Sequence, residues 1–228
     1  MSEHVTLYKI GDVAVITIDD GKVNAYSHEI LDSVLAHIDE IESTAKALVL
    51  AGRPGRFSGG FDLKVMMESP ESALRLLRKG GDLMLRIYML NMPVVIACTG
   101  HSVAAGAFML MSADERIGEE GSFKIGLNEV SIGMPLPHFV VEIARDRLSK
   151  RHFSGMNLAA IYSPTEAIDA GYLDRVVPEG TAIQAAIERA SELAATLDPG
   201  AFRACRTIIR GETAERLEAL KTLDTKIG

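Results

Sequence analysis

Hydrophobic and polar residues alternate near the start of the chain and then change to a helical spacing. Val5–Ile10 and Val13–Asp19 alternate on either side of Gly11 and Asp12, which predicts a β-hairpin. Ser27 can cap a helix, because apolar residues follow it at intervals of three and four. These apolar residues are Ile30, Leu31, Val34, Leu35, Ile38 and Ile41. The first part of the chain therefore predicts two antiparallel strands and one amphipathic helix.

The middle of the chain contains short apolar runs separated by a loop and a helix. Ala47–Ala51 and Pro93–Thr99 are mainly apolar and have the length of buried strands. Residues 52–60 are rich in glycine and charge, which predicts a loop after the first strand. Ser72–Met89 has a helical periodicity, with Gly80-Gly81 as its weak point. This alternation of strands and helices predicts an α/β sheet domain.

Residues 92–111 are the stretch most similar to a membrane span. Pro93, Gly100 and His101 interrupt it, so no unbroken apolar run approaches the ~20 residues that a spanning helix needs. The stretch instead predicts a buried strand, a tight turn and a buried helix that begins near Ala105. We therefore expect no membrane partner.

The last part of the chain has almost no strand signal and is helical by its periodicity. Ser163-Pro-Thr-Glu166 is a capping box with proline at the first helical position, and Gly171 ends that short helix. Longer helices are predicted at Pro137–Leu148, Ala182–Leu197 and Ala201–Leu223. We expect an α/β core over residues 1–136 and a helical region over residues 137–228, within one integrated domain.

The composition limits the classes of function. The chain has 228 residues and is 47% hydrophobic, so it is large enough to bury a full core. Its formal net charge of -7 makes it a poor partner for nucleic acid. Its start lacks the basic and apolar segments of a secretory signal. Cys98 and Cys205 lie far apart in apolar contexts, without other ligands at metal spacing. These features predict buried free thiols, no metal site and a reducing, cytoplasmic compartment.

Glu129 is a carboxylate within an apolar, loop-rich stretch, Ile125–Met134. Burial would raise its pKa by disfavouring the charged form, and a carboxyl with a raised pKa can shuttle protons near neutral pH. An isolated glutamate in a loop is more often a surface residue, so that alternative stays open.

Two further segments are rich in glycine and alanine. In Arg56–Leu63, adjacent glycines follow a strand, and the N–H of Gly59 or Gly60 could point at a ligand oxygen; an ordinary surface turn is the alternative. Gly100–Ala107 leads from a strand directly into a helix, whose first N–H groups lack helical acceptors and could bind an oxyanion. Close packing of the helix on the strand is the alternative there. Asp62 is expected to cap the helix that follows Gly60.

These three segments, in this order and spacing, resemble the crotonase superfamily of enoyl-CoA hydratases and isomerases. Phe57–Leu63 is similar to the first oxyanion segment of that family, and Pro93–Ala97 followed by Ala104-Ala-Gly106 is similar to the second. Ser163–Val177 is similar to its C-terminal helix and the Val-Val that follows. The resemblance extends from Ile16 to about residue 217. It implies a crotonase-like α/β fold of ββα repeats with a C-terminal helical segment.

The resemblance also implies the roles of individual residues. The backbone N–H groups of Gly59 and Ala105 would form the oxyanion hole, although the family usually has glycine at the second position. Glu129 would be the catalytic carboxylate. The substrate and its CoA moiety would contact Lys22, Asn24, Arg56, Phe57, Ser58, Gly60, Phe61, Asp62, Leu63 and Phe108.

Hydratases of this family carry a first glutamate at the position of Phe108, so the two-acid hydration mechanism is not favoured here. Gly126-Leu-Asn-Glu129 instead resembles the Δ3,Δ2-enoyl-CoA isomerases, which use a single glutamate. We therefore predict isomerisation of 3-enoyl-CoA, in which Glu129 takes a proton from C2 and returns it at C4. An enoyl-CoA hydratase with altered acid usage and a catalytically weak acyl-CoA-binding homologue are the alternatives.

Other expectations follow from the same resemblance. The substrate is an acyl-CoA thioester of fatty-acid metabolism, and no cofactor is implied beyond the CoA of the substrate. The assembly is a homotrimer or a hexamer made of two trimers. Many relatives continue into a further C-terminal helix beyond the position of Gly228, which implies a more open acyl pocket here.

Overall fold

The structure of this chain is a computed structural model, and it describes residues 2–223. The strands are β1 Val5–Ile10, β2 Val13–Ile18, β3 Ala25–Tyr26, β4 Ala47–Ala51, β5 Gly55–Ser58, β6 Gly60–Phe61, β7 Val94–Cys98, β8 Gly100–Val103, β9 Glu115–Glu119, β10 Ile125–Gly126 and β11 Arg175–Val177. The helices are α1 His28–Ile41, α2 Leu63–Glu68, α3 Pro70–Tyr88, α4 Ala105–Ser112, α5 His138–Arg147, α6 Lys150–Phe153, α7 Pro164–Ala170, α8 Ala182–Thr196 and α9 Pro199–Leu223. Short 3-10 helices span Glu129–Ile132 and Ser154–Leu158.

The main sheet has the strand order β1-β2-β4-β7-β9-β11. β1 and β2 are antiparallel with Ile10 opposite Val13, which confirms the predicted hairpin. The other neighbouring strands are parallel, and β4 and β7 are buried along their whole length, as their apolar runs predicted. Two small sheets, β10-β8-β5 and β3-β6, contain the glycine-rich segments.

Helices cover both faces of the main sheet. On one face α8 packs against β2, β4 and β7, where Val15, Val49 and Val95 meet Ala186 and Ala190. On the other face α1 packs against β1 and β2, and α3 packs against α1 and α4 over the larger core. A sheet buried on both faces requires continuous apolar strands, so the pattern of β4 and β7 follows from this layering.

The predicted helix starts are confirmed. The Ser27 side chain accepts the N–H of Ile30 at 3.3 Å, and Ser163 and Glu166 form the reciprocal capping box. The Asp62 side chain accepts the N–H of Lys64 at 2.9 Å and so caps α2.

The structure corrects two predictions about secondary structure. The loop predicted over residues 52–60 contains β5, which pairs with β8. The C-terminal region contains β11, which adds to the main sheet beside β9. Both strands are too short to show a period of two, so their pairing depends on neighbours that are distant in sequence.

The two cysteines differ in exposure. Cys98 is buried, as expected, but Cys205 is exposed. It lies on α9 near Ile208 and Ile209, whose exposed fractions are 82% and 74%. The prediction of a buried thiol at this position was wrong, because only one side of α9 packs on the rest of the described chain.

No helix within residues 2–223 combines the length and the hydropathy that a membrane crossing requires. The expected effect of the chain end near Gly228 on the acyl pocket lies outside the described residues.

Candidate active site

Glu129 is buried next to the start of α4. Its exposed fraction is 9%, and it is the first residue of a 3-10 helix. Three residues earlier, Gly126 pairs with Val103 of β8, and its carbonyl accepts the N–H of Ala104 at 3.1 Å. The structure therefore excludes the alternative of a surface glutamate and brings this loop against the turn that precedes Ala105.

One oxygen of the Glu129 carboxyl is free to react. Oε2 is buried and has no hydrogen-bond partner among the described residues. Burial raises the pKa of Glu129 above its ordinary value, and backbone hydrogen bonds at Glu129 and Asn128 lower it in part. A carboxyl with a raised pKa and an unpartnered oxygen is suited to accept and release a proton.

The Glu129 carboxyl lines a cavity of about 210 Å³. The rings of Phe61 and Phe108 line it too, and their centroids lie 5.7 Å apart. The remaining lining comes from aliphatic, methionine and proline residues, such as Met66 and Leu77. Glu129 is the single ionisable residue in the lining formed by residues 61–137, so the cavity is an apolar pocket with one acid.

The backbone of Gly59 does not offer a free donor. Its N–H donates to the carbonyl of Val23 at 2.7 Å. The prediction that Gly59 supplies an oxyanion-hole N–H was therefore wrong, because this amide holds the loop against the segment before β3.

The N–H of Phe61 is the donor in this segment that remains for a ligand. Gly60 donates to Oγ of Ser58 at 3.1 Å, and Asp62 donates to the carbonyl of Tyr26 at 3.0 Å. Successive residues of an extended strand point their N–H groups to opposite sides. The N–H of Phe61, between these two, therefore points away from β3.

The start of α4 lies directly against this segment. A Cβ added to Gly60 would lie 3.3 Å from the backbone nitrogen of Ala105 and 3.0 Å from Cβ of Ala104. Gly60 has a φ of +99°, so two features restrict this position to glycine. Ala105 is the first residue of α4, and a first helical N–H has no acceptor within its own helix. The N–H groups of Phe61 and Ala105 are thus neighbouring donors.

Three predicted ligand contacts are buried supports of the loop. The Asn24 amide is fully buried and donates to the carbonyl of Ile18 at 2.8 Å, and Oγ of Ser58 donates to the carbonyl of Asn24 at 2.7 Å. Phe57 is 1% exposed and belongs to the core. Side chains in these positions shape the loop, and the prediction that the three residues contact the substrate or its CoA moiety stays a prediction.

Four other predicted contact residues are exposed or half-buried. Lys22 and Leu63 are exposed, and Arg56 and Asp62 are half-buried. They surround the same two small sheets, and their predicted contacts with CoA stay predictions.

Comparison with known proteins decides the family. The family model described as enoyl-CoA hydratase/isomerase matches residues 9–227. The chain belongs to the enoyl-CoA hydratase/isomerase family. The predicted resemblance to the crotonases, and their α/β fold with C-terminal helices, is therefore confirmed.

The individual relatives include proteins described as isomerases and proteins described as hydratases. The chain is 28% identical over 220 residues to human mitochondrial enoyl-CoA delta isomerase 1, covering 94% of this chain and 72% of the relative. A solved enoyl-CoA hydratase/isomerase family protein from Pseudomonas syringae is similar with a TM-score of 0.95 and 38% identity, covering 99% and 98% of the two chains. A solved Mycobacterium tuberculosis protein described as an enoyl-CoA isomerase has a TM-score of 0.94 and 33% identity, with full coverage of both chains. A second structure of the same protein describes it as a probable enoyl-CoA hydratase, with a TM-score of 0.92 and 34% identity over 96% of this chain and 94% of that one.

Tyr172 is a residue of this enoyl-CoA hydratase/isomerase site that the sequence did not reveal. It is 1% exposed, its phenol is hydrogen-bonded to the backbone of Leu127, and it lies close enough to Glu129 to interact electrostatically. Tyr162, 5.9 Å away between ring centroids, exchanges two backbone hydrogen bonds of 2.9 Å with Ile125. Together these tyrosines fix both sides of the loop that presents the carboxyl.

Tyr172→Phe is expected to lower the free energy of unfolding by about 1–3 kcal/mol, because the buried N–H of Leu127 loses its acceptor. Chemical denaturation measures the change. Tyr8→Phe is the control, since Tyr8 is 43% exposed on β1 and should change stability by less than about 0.5 kcal/mol. Equal effects of the two variants would contradict the assigned role of Tyr172.

Glu129 is expected to destabilise the fold at neutral and alkaline pH. Its pKa is raised in the folded state, so its favourable contribution is present at low pH and is lost as pH rises through the folded pKa. Glu129→Gln should therefore melt at a higher temperature than the wild type at alkaline pH, and the difference should shrink on acidification. Calorimetry across pH measures it, and a difference that grows at acid pH would contradict the burial argument.

No group of three or more His, Cys, Asp or Glu side chains within residues 2–223 is placed to hold a metal ion. The prediction that the reaction needs no cofactor beyond CoA stays a prediction.

Proposed function

We propose that this chain isomerises 3-enoyl-CoA thioesters to 2-enoyl-CoA, with Glu129 as the single acid–base residue. The observation that carries the proposal is the environment of Glu129, which lines an otherwise apolar cavity and has a buried carboxyl oxygen without a hydrogen-bond partner among the described residues. The family membership supplies the acyl-CoA substrate class.

The proposed mechanism moves one proton and one double bond. The thioester oxygen accepts the N–H groups of Phe61 and Ala105, and the Glu129 carboxylate removes a proton from C2. The electron pair of that C–H bond delocalises, so negative charge grows on the thioester oxygen, where the two donors stabilise it. The protonated Glu129 then delivers the proton to C4, and the double bond comes to lie between C2 and C3.

Phe108 supports isomerisation over hydration. Its ring is 2% exposed, lines the cavity with Glu129, and packs on Phe61 and Phe139. Hydration requires a water molecule held and activated beside C3, and a phenyl ring offers it no hydrogen bond. An apolar wall also preserves the raised pKa of Glu129 by excluding solvent.

The remaining parts of the proposal concern CoA, assembly and location. We infer that CoA passes Lys22 and Arg56, which flank the loop at the surface. The exposed Ile208 and Ile209 of α9 support a homotrimer or hexamer, whose mass light scattering would measure. A cytoplasmic location belongs to the same proposal.

Two substrates test the proposed reaction. Supplied with 3-enoyl-CoA, the protein should form 2-enoyl-CoA, and supplied with 2-enoyl-CoA it should form 3-enoyl-CoA up to equilibrium without adding water. Net formation of 3-hydroxyacyl-CoA would establish the hydratase alternative. Binding of acyl-CoA without turnover of either substrate would establish the catalytically weak homologue.

A further inference from the structure

Two adjacent glycines, Gly80 and Gly81, lie in the middle of α3. Each destabilises the helix by about 1 kcal/mol relative to alanine. The helix nevertheless continues through them without a break. A Cβ added to Gly80 would lie 2.4 Å from Cζ of Phe61 and 2.5 Å from Cε1. The helix backbone therefore lies directly against the tip of the Phe61 ring, and the place of that ring depends on the missing side chain.

The Phe61 ring is held from its other side by a row of aromatic rings. Its centroid is 5.7 Å from that of Phe108, which is 6.0 Å from that of Phe139 at an angle of 84°. Phe61 and Phe108 both line the cavity that contains Glu129. Together they form an aromatic wall, and α3 holds one edge of it in place through Gly80.

The side chains along the rest of the cavity set the chemistry of its occupant. Met66, Leu74, Leu77 and Met134 contribute apolar surface, and the Glu129 carboxyl is the ionisable group in the lining. A polar group placed along such a surface would lose its hydrogen bonds to water without replacement. The cavity thus fits a hydrocarbon chain that is unsubstituted by polar groups beyond the reacting carbons.

We propose that Gly80 and the Phe61–Phe108 wall determine the acyl-chain length that this cavity accepts, and that its occupant is a plain hydrocarbon chain. This rests on the proposed function, in which the cavity receives the acyl part of the thioester. Gly80 touches the wall and not the substrate, so it is a positioning residue.

Gly80→Ala tests the role of the glycine directly. The new methyl group cannot coexist with the Phe61 ring at 2.4 Å, so the ring must leave its present place in the wall. Because Phe108 packs against the ring, we expect the ring to move into the cavity. Each methylene that loses its place in an apolar pocket weakens recognition by about tenfold or more. Long acyl chains should therefore lose affinity, while short chains should keep it.

Gly81→Ala is the matched control on the next residue of the same helix. Its added Cβ would face Cδ of Lys221 at 3.1 Å and Cζ of Phe139 at 3.3 Å, away from the Phe61 ring. The Lys221 side chain and the Phe139 ring, which packs on Phe108, each need to move by only a few tenths of an ångström, far less than the Phe61 ring in Gly80→Ala. This variant should keep the chain-length profile of the wild type.

The experiment is calorimetric titration of each variant with saturated acyl-CoA thioesters of increasing chain length. Saturated chains bind without reacting, so the profile does not depend on turnover. Gly80→Ala should move the tightest-binding chain to a shorter length, and Phe108→Leu, which opens the wall, should move it to a longer length. Melting temperatures verify that each variant is folded.

Two results would overturn the inference. Profiles of Gly80→Ala and Gly81→Ala that both match the wild type would remove the wall as the determinant of length. Equal weakening at every length would assign Gly80 to general stability. A wild type that binds with a clear optimum but fails to isomerise would reject the proposed function alone, and the length determinant would stand.

Discussion

Glutamine at position 129 is expected to lower kcat for 3-enoyl-CoA isomerisation by about 100- to 10,000-fold, the usual contribution of a positioned acid–base group. Glutamine preserves the shape of the side chain but cannot accept the C2 proton. The cavity stays apolar and of the same size, so the dissociation constant for a saturated acyl-CoA should change little. Initial rates and calorimetry on the same preparation separate the two quantities.

Glu119→Gln provides the matched control for this variant. Glu119 is also buried, with an exposed fraction of 4%, but its Oε1 accepts the N–H of Ala182 far along the chain. This control should change stability and leave kcat unchanged. Undiminished turnover by Glu129→Gln would exclude base chemistry at this position and favour the catalytically weak alternative.

Gly60→Ala is expected to lower kcat by about 100- to 1,000-fold, the range seen when one oxyanion-hole donor is lost. The new Cβ would lie 3.0 Å from Cβ of Ala104 and 3.3 Å from the nitrogen of Ala105, at a φ of +99°. The two backbones must separate, which pulls the N–H groups of Phe61 and Ala105 away from one shared oxygen. Steady-state kinetics with 3-enoyl-CoA measure the loss.

The control for Gly60→Ala is a second glycine with a positive φ, but without the close contact. Gly11, in the turn between β1 and β2, has a φ of +57° and open space around an added Cβ. Gly11→Ala should reduce stability to a smaller degree and leave kcat intact. If both variants lost activity equally, the convergence of the two donors would not explain the effect.

The sequence predicted the elements whose pattern is set locally. The alternation of β1 and β2, the apolar runs of β4 and β7 and the side-chain caps of α1 and α7 each depend on residues that are close in sequence. Glu129 could be singled out because its neighbours are apolar, although its burial required the structure. These signals were sufficient to predict the α/β core and two parts of the proposed site, Glu129 and the helix start near Ala105.

Features that depend on distant segments were missed. Gly59 and Phe61 lie in one short motif, and only the contact with Val23 shows which amide is engaged and which is free. Tyr172 supports Leu127 from a segment more than forty residues away. Gly80 on α3 likewise packs tightly on Phe61 of β6, which is distant in sequence. The sequence alone therefore indicated only a weak point of the helix at this position, where the structure has a close contact.

Loss of the C2 proton tests the central claim most directly. Proton magnetic resonance of 3-enoyl-CoA in heavy water shows the signal of the C2 protons. This signal decreases whether the abstracted proton is returned at C4 or exchanges with the solvent. The wild type should remove it with the appearance of the 2-enoyl product, while Glu129→Gln should remove it at least about 100-fold more slowly. Loss of the signal at the wild-type rate in Glu129→Gln would contradict the account.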